Sequence, residues 1–258
     1  AAIFKANSER QRQLGRILVL SDSAHSFGAS YQGKNCGSLT DVSVFSFHAV
    51  KNLTTAEGGS VALNLPAPFD NGEVYQYLCM YTLHGQNKDA LAKTQKGNWK
   101  YDIMEAGYKC NMTDIAAAIG LVELGRYDND TQLKRKRIFE LYNTGFGQDD
   151  RFQLPVHNTD MASGCYHLYP LRIKGITEEQ RDAIIQGIFD RDVSVNVHFI
   201  PVPMMSYYKQ AGYDIKNYPV TYDNFSREIS LPVYYDLTEE QVQTVIKAVT
   251  DSTNSVLC

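Results

Sequence analysis

Short apolar runs closed by turn residues alternate with stretches of helical periodicity along this chain. Residues 6–14 read as the end of a helix. Ile17, Leu18, Val19 and Leu20 form a continuous apolar run, the pattern of a strand buried on both faces of a parallel sheet. It gives way to SDSAHSFGA at 21–29. The spacing of Val42, Val44, Phe45 and Phe47 predicts a second strand, which delivers Lys51 just ahead of Gly58 and Gly59; SVALNL at 60–65 is a third. Residues 73–85 predict a helix with Tyr77, Met80, Tyr81 and His84 on one face, and a polar loop containing Trp99 follows at 86–104. A helix is expected over 107–124, capped by Asn111 with Asp114 at its third position and with Met112, Ile115, Ile119 and Val122 at helical spacing. The basic run LKRKR at 133–137 reads as a solvated face of a further helix reaching about Tyr142.

From about residue 150 the order becomes strand (165–173), helix (177–192), strand (193–202) and a last helix. Thr177 with Gln180 is a capping box, and the same TEEQ signature recurs at 238–241, ahead of Val242, Val245, Ile246 and Val249 on one face. The expected division is a larger α/β unit over 1–145 and a small α/β unit over 146–258.

Charge and composition narrow the function classes. A net charge of −4 over 258 residues argues against a general nucleic-acid binder. No apolar run approaches a membrane span, and AAIFKANSERQRQLGR lacks the core of a signal peptide, so no membrane partner and a cytoplasmic location are expected. The cysteines Cys36, Cys79, Cys110, Cys165 and Cys258 are odd in number and widely spaced, which suggests neither a zinc site nor a disulfide framework. No other metal-ligand cluster, P-loop or G-x-S-x-G motif occurs.

The candidate chemistry sits at strand ends. Lys51, at the end of a buried strand, would be partly desolvated; this lowers an ammonium's pKa and suits Schiff-base chemistry, whereas many strand-end lysines simply face water. Asp22 and His25 lie just past the carboxyl end of a strand, where open α/β sheets bind ligands. Asp22 reads equally as the cap of the following turn.

These residues belong to a longer series. SDSAHSFGASYQGKNCGS, VFSFHAVKN with AEGG, HG at 84–85, GYKCNMTDIAAAIG, CYHLYP and VHFIPV resemble, in order, the landmarks of the DegT/DnrJ/EryC1/StrS sugar aminotransferases, closest to the C4 aminotransferases of 4-amino-arabinose and pseudaminic acid pathways. The resemblance implies a fold-type I, aspartate-aminotransferase-like α/β fold with pyridoxal 5′-phosphate (PLP) as cofactor. It implies a ping-pong transfer of an amino group from a donor, usually L-glutamate, to a nucleotide-activated ketosugar. Lys51 matches the Schiff-base lysine and general acid/base, Asp22 the partner of the pyridine nitrogen, His25 a position near the ring hydroxyl, and Ser46 a phosphate-binding serine. Lys109 and Asn111 fall where the family has G-Y-N-Y-R, which reaches the phosphate of the partner's cofactor in a homodimer with a shared active site; either could make that contact. His198 lies near the substrate-binding position, and His167 reads as structural. By the same resemblance the chain starts inside the large domain, without the preceding portion relatives carry, so a sheet edge is expected to be exposed.

Two alternatives accompany this reading. A sugar dehydratase of the same fold would carry histidine in place of the lysine, and residue 51 is lysine. A non-catalytic fragment or sensor would have no reason to keep Asp22, Ser46 and Lys51 together.

Overall fold

The computed structural model describes residues 4–88, 96 and 99–257; the parts of the expected 86–104 loop at 89–95 and 97–98 lie outside the described residues. The chain forms two compact units, Ala1–Tyr127 with Met161–Cys165, and Asp128–Asp160 with Tyr166–Cys258. The boundary expected after residue 145 instead follows Tyr127. The reason is the helix Gln132–Phe146, whose Ile138, Phe139, Tyr142 and Phe146 belong to the core of the second unit.

In the first unit, helix α1 (Glu9–Leu14) is capped by Ser8 and ends at Gly15 in the left-handed region. Strands β1 (Leu20–Asp22), β4 (Val42–Ser46) and β5 (Gly59–Leu63) form one sheet in the order β1-β4-β5. β1 and β4 are parallel and β4 and β5 antiparallel. Small strands β2 (Ser30–Tyr31) and β3 (Lys34–Asn35) pair beside β7 (Ala162–Ser163), which carries residues 161–165 into this unit. Asp41 fixes the approach to β1: its carboxylate takes two hydrogen bonds from Arg16, both 2.6 Å, and one from Val19 N–H at 2.8 Å. Arg16, then Val19, hold its pKa down to about 2.

The run at 17–20 is not buried on both faces. Ile17, Leu18, Val19 and Leu20 are 68, 43, 48 and 59% exposed. β4 covers one edge of β1, and no strand pairs with the other among the described residues.

Helix α2 (Asn71–Tyr81) starts at Asp70, whose carboxylate accepts from Gly72 and Glu73 N–H. His84 lies beyond its end rather than on its face, because His84 and Gly85 both take positive φ and turn the chain. Leu83 bridges to Lys109, and this pairing holds 108–110 extended. Helix α3 (Asp114–Arg126) therefore begins later than expected, with Thr113 and not Asn111 as cap. Its Ile115, Ile119 and Val122 are exposed.

The second unit has its own sheet, β6 (Phe152–Gln153), β8 (Tyr169–Ile173) and β9 (Glu228–Leu231), antiparallel in the order β6-β8-β9. Alternate residues Tyr169, Leu171 and Ile173 of β8 are fully buried against α4 (Gln132–Phe146), α5 (Glu178–Phe189) and the last helix, α8 (Glu239–Leu257). Between them lie α6 (Ser206–Gln210) and α7 (Pro219–Ser226). The capping boxes at Thr177/Gln180 and Thr238/Gln241 both form. The basic run is not wholly solvated, since Arg135 turns inward, 5% exposed, and donates to the carbonyls of Tyr166 and His167. The strand expected at 193–202 reduces to one bridge, Asn196 to Ser230; Val195 packs on the core without a second partner strand.

Candidate active site

The parallel register decides where the candidate residues stand. Asp22 pairs with Val44, and Ser46 is two residues further along β4. Side chains two apart on a strand share a face, and so do register partners. Asp22, Val44 and Ser46 therefore lie on one face of the sheet, at the carboxyl end of β1 and β4. Val44 and its β5 partner Val61 are 38% and 47% exposed, so that face is open and apolar around the two polar groups. The opposite face carries buried Ser43 and Phe45.

Ser46 Oγ accepts from His48 N–H at 3.3 Å, which leaves its own O–H proton free to donate. His48 starts the turn that presents Lys51, closed by Lys51 N–H to His48 O at 2.9 Å. Lys51 is half-buried there. The loop behind it is pinned at Phe47, whose N–H donates to Gly58 O and whose carbonyl accepts from Thr55 N–H, both 2.9 Å. The glycine pair is sterically required: a Cβ at Gly58 would come 2.4 Å from Thr55 Oγ1, and one at Gly59 2.6 Å from Phe45 O.

Asp22 makes the turn contact that its local sequence allows, accepting from Ala24 N–H at 3.2 Å, and its carboxylate is exposed. His25 is exposed on the same loop. That loop folds back through Ser26 N–H to Ser23 O and Ala29 N–H to Ser26 O, each 3.0 Å. Phe27 anchors it, its ring edge-on to Phe45, Phe47 and Tyr127 at centroid distances of 5.5, 5.8 and 5.0 Å.

The structure thus brings Asp22, Ser46 and Lys51 to one edge of the sheet, with His25 on the adjoining loop. Lys109 and Asn111 come together with each other, Lys109 Nζ donating to Asn111 Oδ1. Both are exposed, and among the described residues neither bonds to Asp22, Ser46 or Lys51. His198 belongs to the second unit. Its N–H donates to Glu228 Oε2 at 3.0 Å. Glu228 is 3% exposed, and burial raises its carboxyl pKa against the opposing pull of Ser230, His198 and two arginines. His167 contributes its backbone carbonyl to Arg135.

Sequence reasoning passes over three side chains that build these sites: Asn52, Tyr127 and Glu228. Asn52 is buried beside Lys51, and Tyr127 is 2% exposed with its hydroxyl on Phe27 O at 2.7 Å. Their partners are distant in sequence, and no local spacing signals them.

Comparison with known proteins finds relatives over most of the chain. Residues 12–250 match the profile of the DegT/DnrJ/EryC1/StrS aminotransferase family. Bacillus subtilis SpsC, a spore coat polysaccharide biosynthesis protein, is 36% identical over 242 residues, 91% of this chain and 59% of SpsC. The Campylobacter jejuni UDP-4-amino-4,6-dideoxy-N-acetyl-β-L-altrosamine transaminase is 30% identical over 230 residues, 89% of this chain and 57% of its own. Among solved structures, Spr1654 from Streptococcus pneumoniae, assigned as a sugar aminotransferase, matches in its PMP form with a TM-score of 0.91 and 43% identity, covering 98% of this chain and 63% of that one. Helicobacter pylori PseC, an aminotransferase of pseudaminic acid biosynthesis, matches with a TM-score of 0.79 and 28% identity, over 93% of this chain and 60% of that one. The chain spans about three-fifths of the length of these relatives. Their mixed α/β, fold-type I architecture is the one expected from the sequence. With its profile matched from residue 12 to residue 250, the chain belongs to the DegT/DnrJ/EryC1/StrS aminotransferase family.

Proposed function

We propose that the protein is a PLP-dependent sugar aminotransferase, moving the amino group of an amino acid, L-glutamate by the family pattern, to a nucleotide-activated ketosugar for amino-sugar and polysaccharide biosynthesis. One observation carries the reading: Asp22 and Ser46 share a face at the carboxyl end of the β1–β4 parallel pair, and the turn that follows β4 carries Lys51. The donor set suits PLP. A carboxylate can face its basic ring nitrogen, a hydroxyl its phosphate and an amine its aldehyde, above an apolar floor that includes Val44. When bound, the cofactor supplies an electron sink at the substrate carbon.

The chain's own residues would do the rest. Lys51 Nζ would hold the cofactor through its aldehyde carbon, with loss of water, and, when free of it, would carry a proton to and from the substrate carbon. Asp22 favours a protonated ring nitrogen by its charge. Ser46 donates to the phosphate from a strand and fixes its position. His25 would stand near the ring hydroxyl. Lys109 or Asn111 reaches the phosphate bound by the partner copy of a homodimer, and His198 contacts the sugar. The first unit is then the PLP-binding part and the second the small C-terminal domain, and the enzyme is cytoplasmic. Among the described residues, no helix is long and apolar enough to cross a membrane.

Borohydride reduction followed by peptide mass spectrometry should find the cofactor's mass on Lys51. Lys51→Ala should lose both that mass and amino transfer from glutamate to a nucleotide ketosugar. Asp22→Asn keeps the shape without the charge, and should retain the adduct while kcat falls about 100-fold. An adduct on another lysine, or transfer surviving in Lys51→Ala, refutes the reading.

A further inference from the structure

Asn52 directly follows Lys51 and is buried, 7% exposed. A buried primary amide must satisfy two N–H donors, and Asn52 Nδ2 reaches Cys165 O at 2.6 Å and Tyr127 OH at 3.4 Å. Each acceptor continues to the other functional loop. The Tyr127 hydroxyl spends its proton on Phe27 O at 2.7 Å, so its oxygen is left to accept from Asn52. The Cys165 thiol donates to His25 O at 2.9 Å. Two hydrogen-bonded routes therefore run from the residue beside Lys51 to the backbone of the 22–28 loop. All of these groups belong to the first unit.

Gly28 is shaped to the same arrangement. Its φ is +87°, and a Cβ there would come 2.6 Å from the Tyr127 ring and 2.7 Å from its hydroxyl oxygen. The loop closes onto Tyr127 at a distance that only glycine permits.

We propose that Asn52, with Tyr127 as its relay, is a positioning residue that holds the Lys51 turn in register with the loop carrying Asp22 and His25. Neither residue touches the reacting atoms. They fix how the turn carrying the amine lies against the loop carrying the carboxylate. The functional part of the inference rests on the PLP reading above. The coupling between the two loops does not.

The test uses Asn52→Asp and Tyr127→Phe in the full-length protein. Asn52→Asp keeps size and shape but removes both donors, and Tyr127→Phe keeps the ring against Phe27 and Gly28 but removes the hydroxyl. Amide hydrogen exchange, read in the protein with and without PLP, should speed up about tenfold in both 48–58 and 22–28 for either variant. In steady state kcat should fall about tenfold or more, with the KM for the amino donor held within about twofold, since misplacement of a reacting group acts on the transition state. The double variant should be no worse than Asn52→Asp alone, because Asn52→Asp already cuts both routes, the one through Tyr127 included. Exchange at 22–28 unchanged in Asn52→Asp overturns the coupling, whatever the activity. Faster exchange with unaltered kcat overturns the positioning role. A wild-type protein with no cofactor on Lys51 would refute the PLP reading, while the exchange result would still decide the coupling.

Discussion

A close approach beside the candidate site predicts a single-methyl lesion. Gly28→Ala adds one carbon where the structure has no room and where the backbone is left-handed, φ +87°. The conformational cost for an L-residue there is about 1 kcal/mol. The new Cβ would lie 2.6 Å from Tyr127 Cε1 and 3.0 Å from Cζ, closer than carbon atoms approach without displacement. Tyr127 is 2% exposed and edge-on to Phe27, so the ring cannot swing clear into solvent. Moving it strains the hydroxyl's bond to Phe27 O, and overpacking of this kind costs about 1–3 kcal/mol. The sum, about 3 kcal/mol, is a large share of the stability of an ordinary domain.

Gly15 supplies the control. Its φ is +69°, and a Cβ there meets nothing within 4 Å. Gly15→Ala therefore reports the conformational cost alone, about 1 kcal/mol. Urea unfolding followed by circular dichroism should show the midpoint of Gly28→Ala falling well below that of Gly15→Ala at similar m-values. Adding Tyr127→Leu to Gly28→Ala should recover part of the overlap cost, as coupled neighbours do. Equal losses at the two glycines would refute the reasoning.

Two further predictions concern the second unit. Arg135→Met removes a buried guanidinium that serves one buried and one part-buried carbonyl, and should destabilise by about 3 kcal/mol in urea unfolding; a loss below about 0.5 kcal/mol would mean that Tyr166 and His167 find other donors. Burial against Phe139, at a centroid distance of 4.1 Å, holds His157 down to about 4. The unfolded chain then binds the extra proton between about pH 6.5 and 4, so this group's contribution to stability is complete above that window and is lost as pH falls through it, by about 1–2 kcal/mol after allowing for partial solvation. His157→Phe should flatten the dependence of the urea midpoint on pH in that range, and an unchanged slope would show that His157 is not its source.

Local chemistry made part of this molecule legible. The capping boxes at Thr177 and Thr238 formed because each needs only residues three apart. Strand β4 was readable from its alternation, and so was the placing of Asp22 at the end of β1 and of Lys51 beyond the end of β4. The failures have a common cause, which is competition from partners remote in the chain. Asn111 and Thr113 are both competent caps, and Leu83, pairing with Lys109, holds the chain extended until Thr113. The alternation at 193–202 suits a strand, but only Asn196 finds a partner on β9. Arg135 sits in a basic run, and what turns it inward is a pair of carbonyls 31 and 32 residues away. Asn52 and Tyr127 meet across 75 residues. Family resemblance named the candidate reacting groups, yet the groups proposed to space them apart carry no motif of their own.

That contrast bears on how the candidate site works. Asp22 is exposed, beside Val44 and Val61, which are also exposed. In water a carboxylate and a cation about 4 Å apart gain only about 1 kcal/mol, several-fold less than when water is excluded. On the proposed PLP reading, Asp22 would hold a protonated ring nitrogen firmly only once that face is covered. Covering it withdraws Val44 and Val61 from water as well, so ligand binding and strengthening of the charge pair are one event. The geometry must then be ready beforehand, because an exposed carboxylate cannot pull the two loops into place by itself. The bonds from Asn52 and Tyr127 lie on the buried side, where they persist whether or not the open face is covered. On this argument, loosening them should affect the chemical step more than cofactor affinity: a Tyr127→Phe protein that binds PLP much more weakly but turns over normally when saturated would show that the buried contacts serve binding and not positioning.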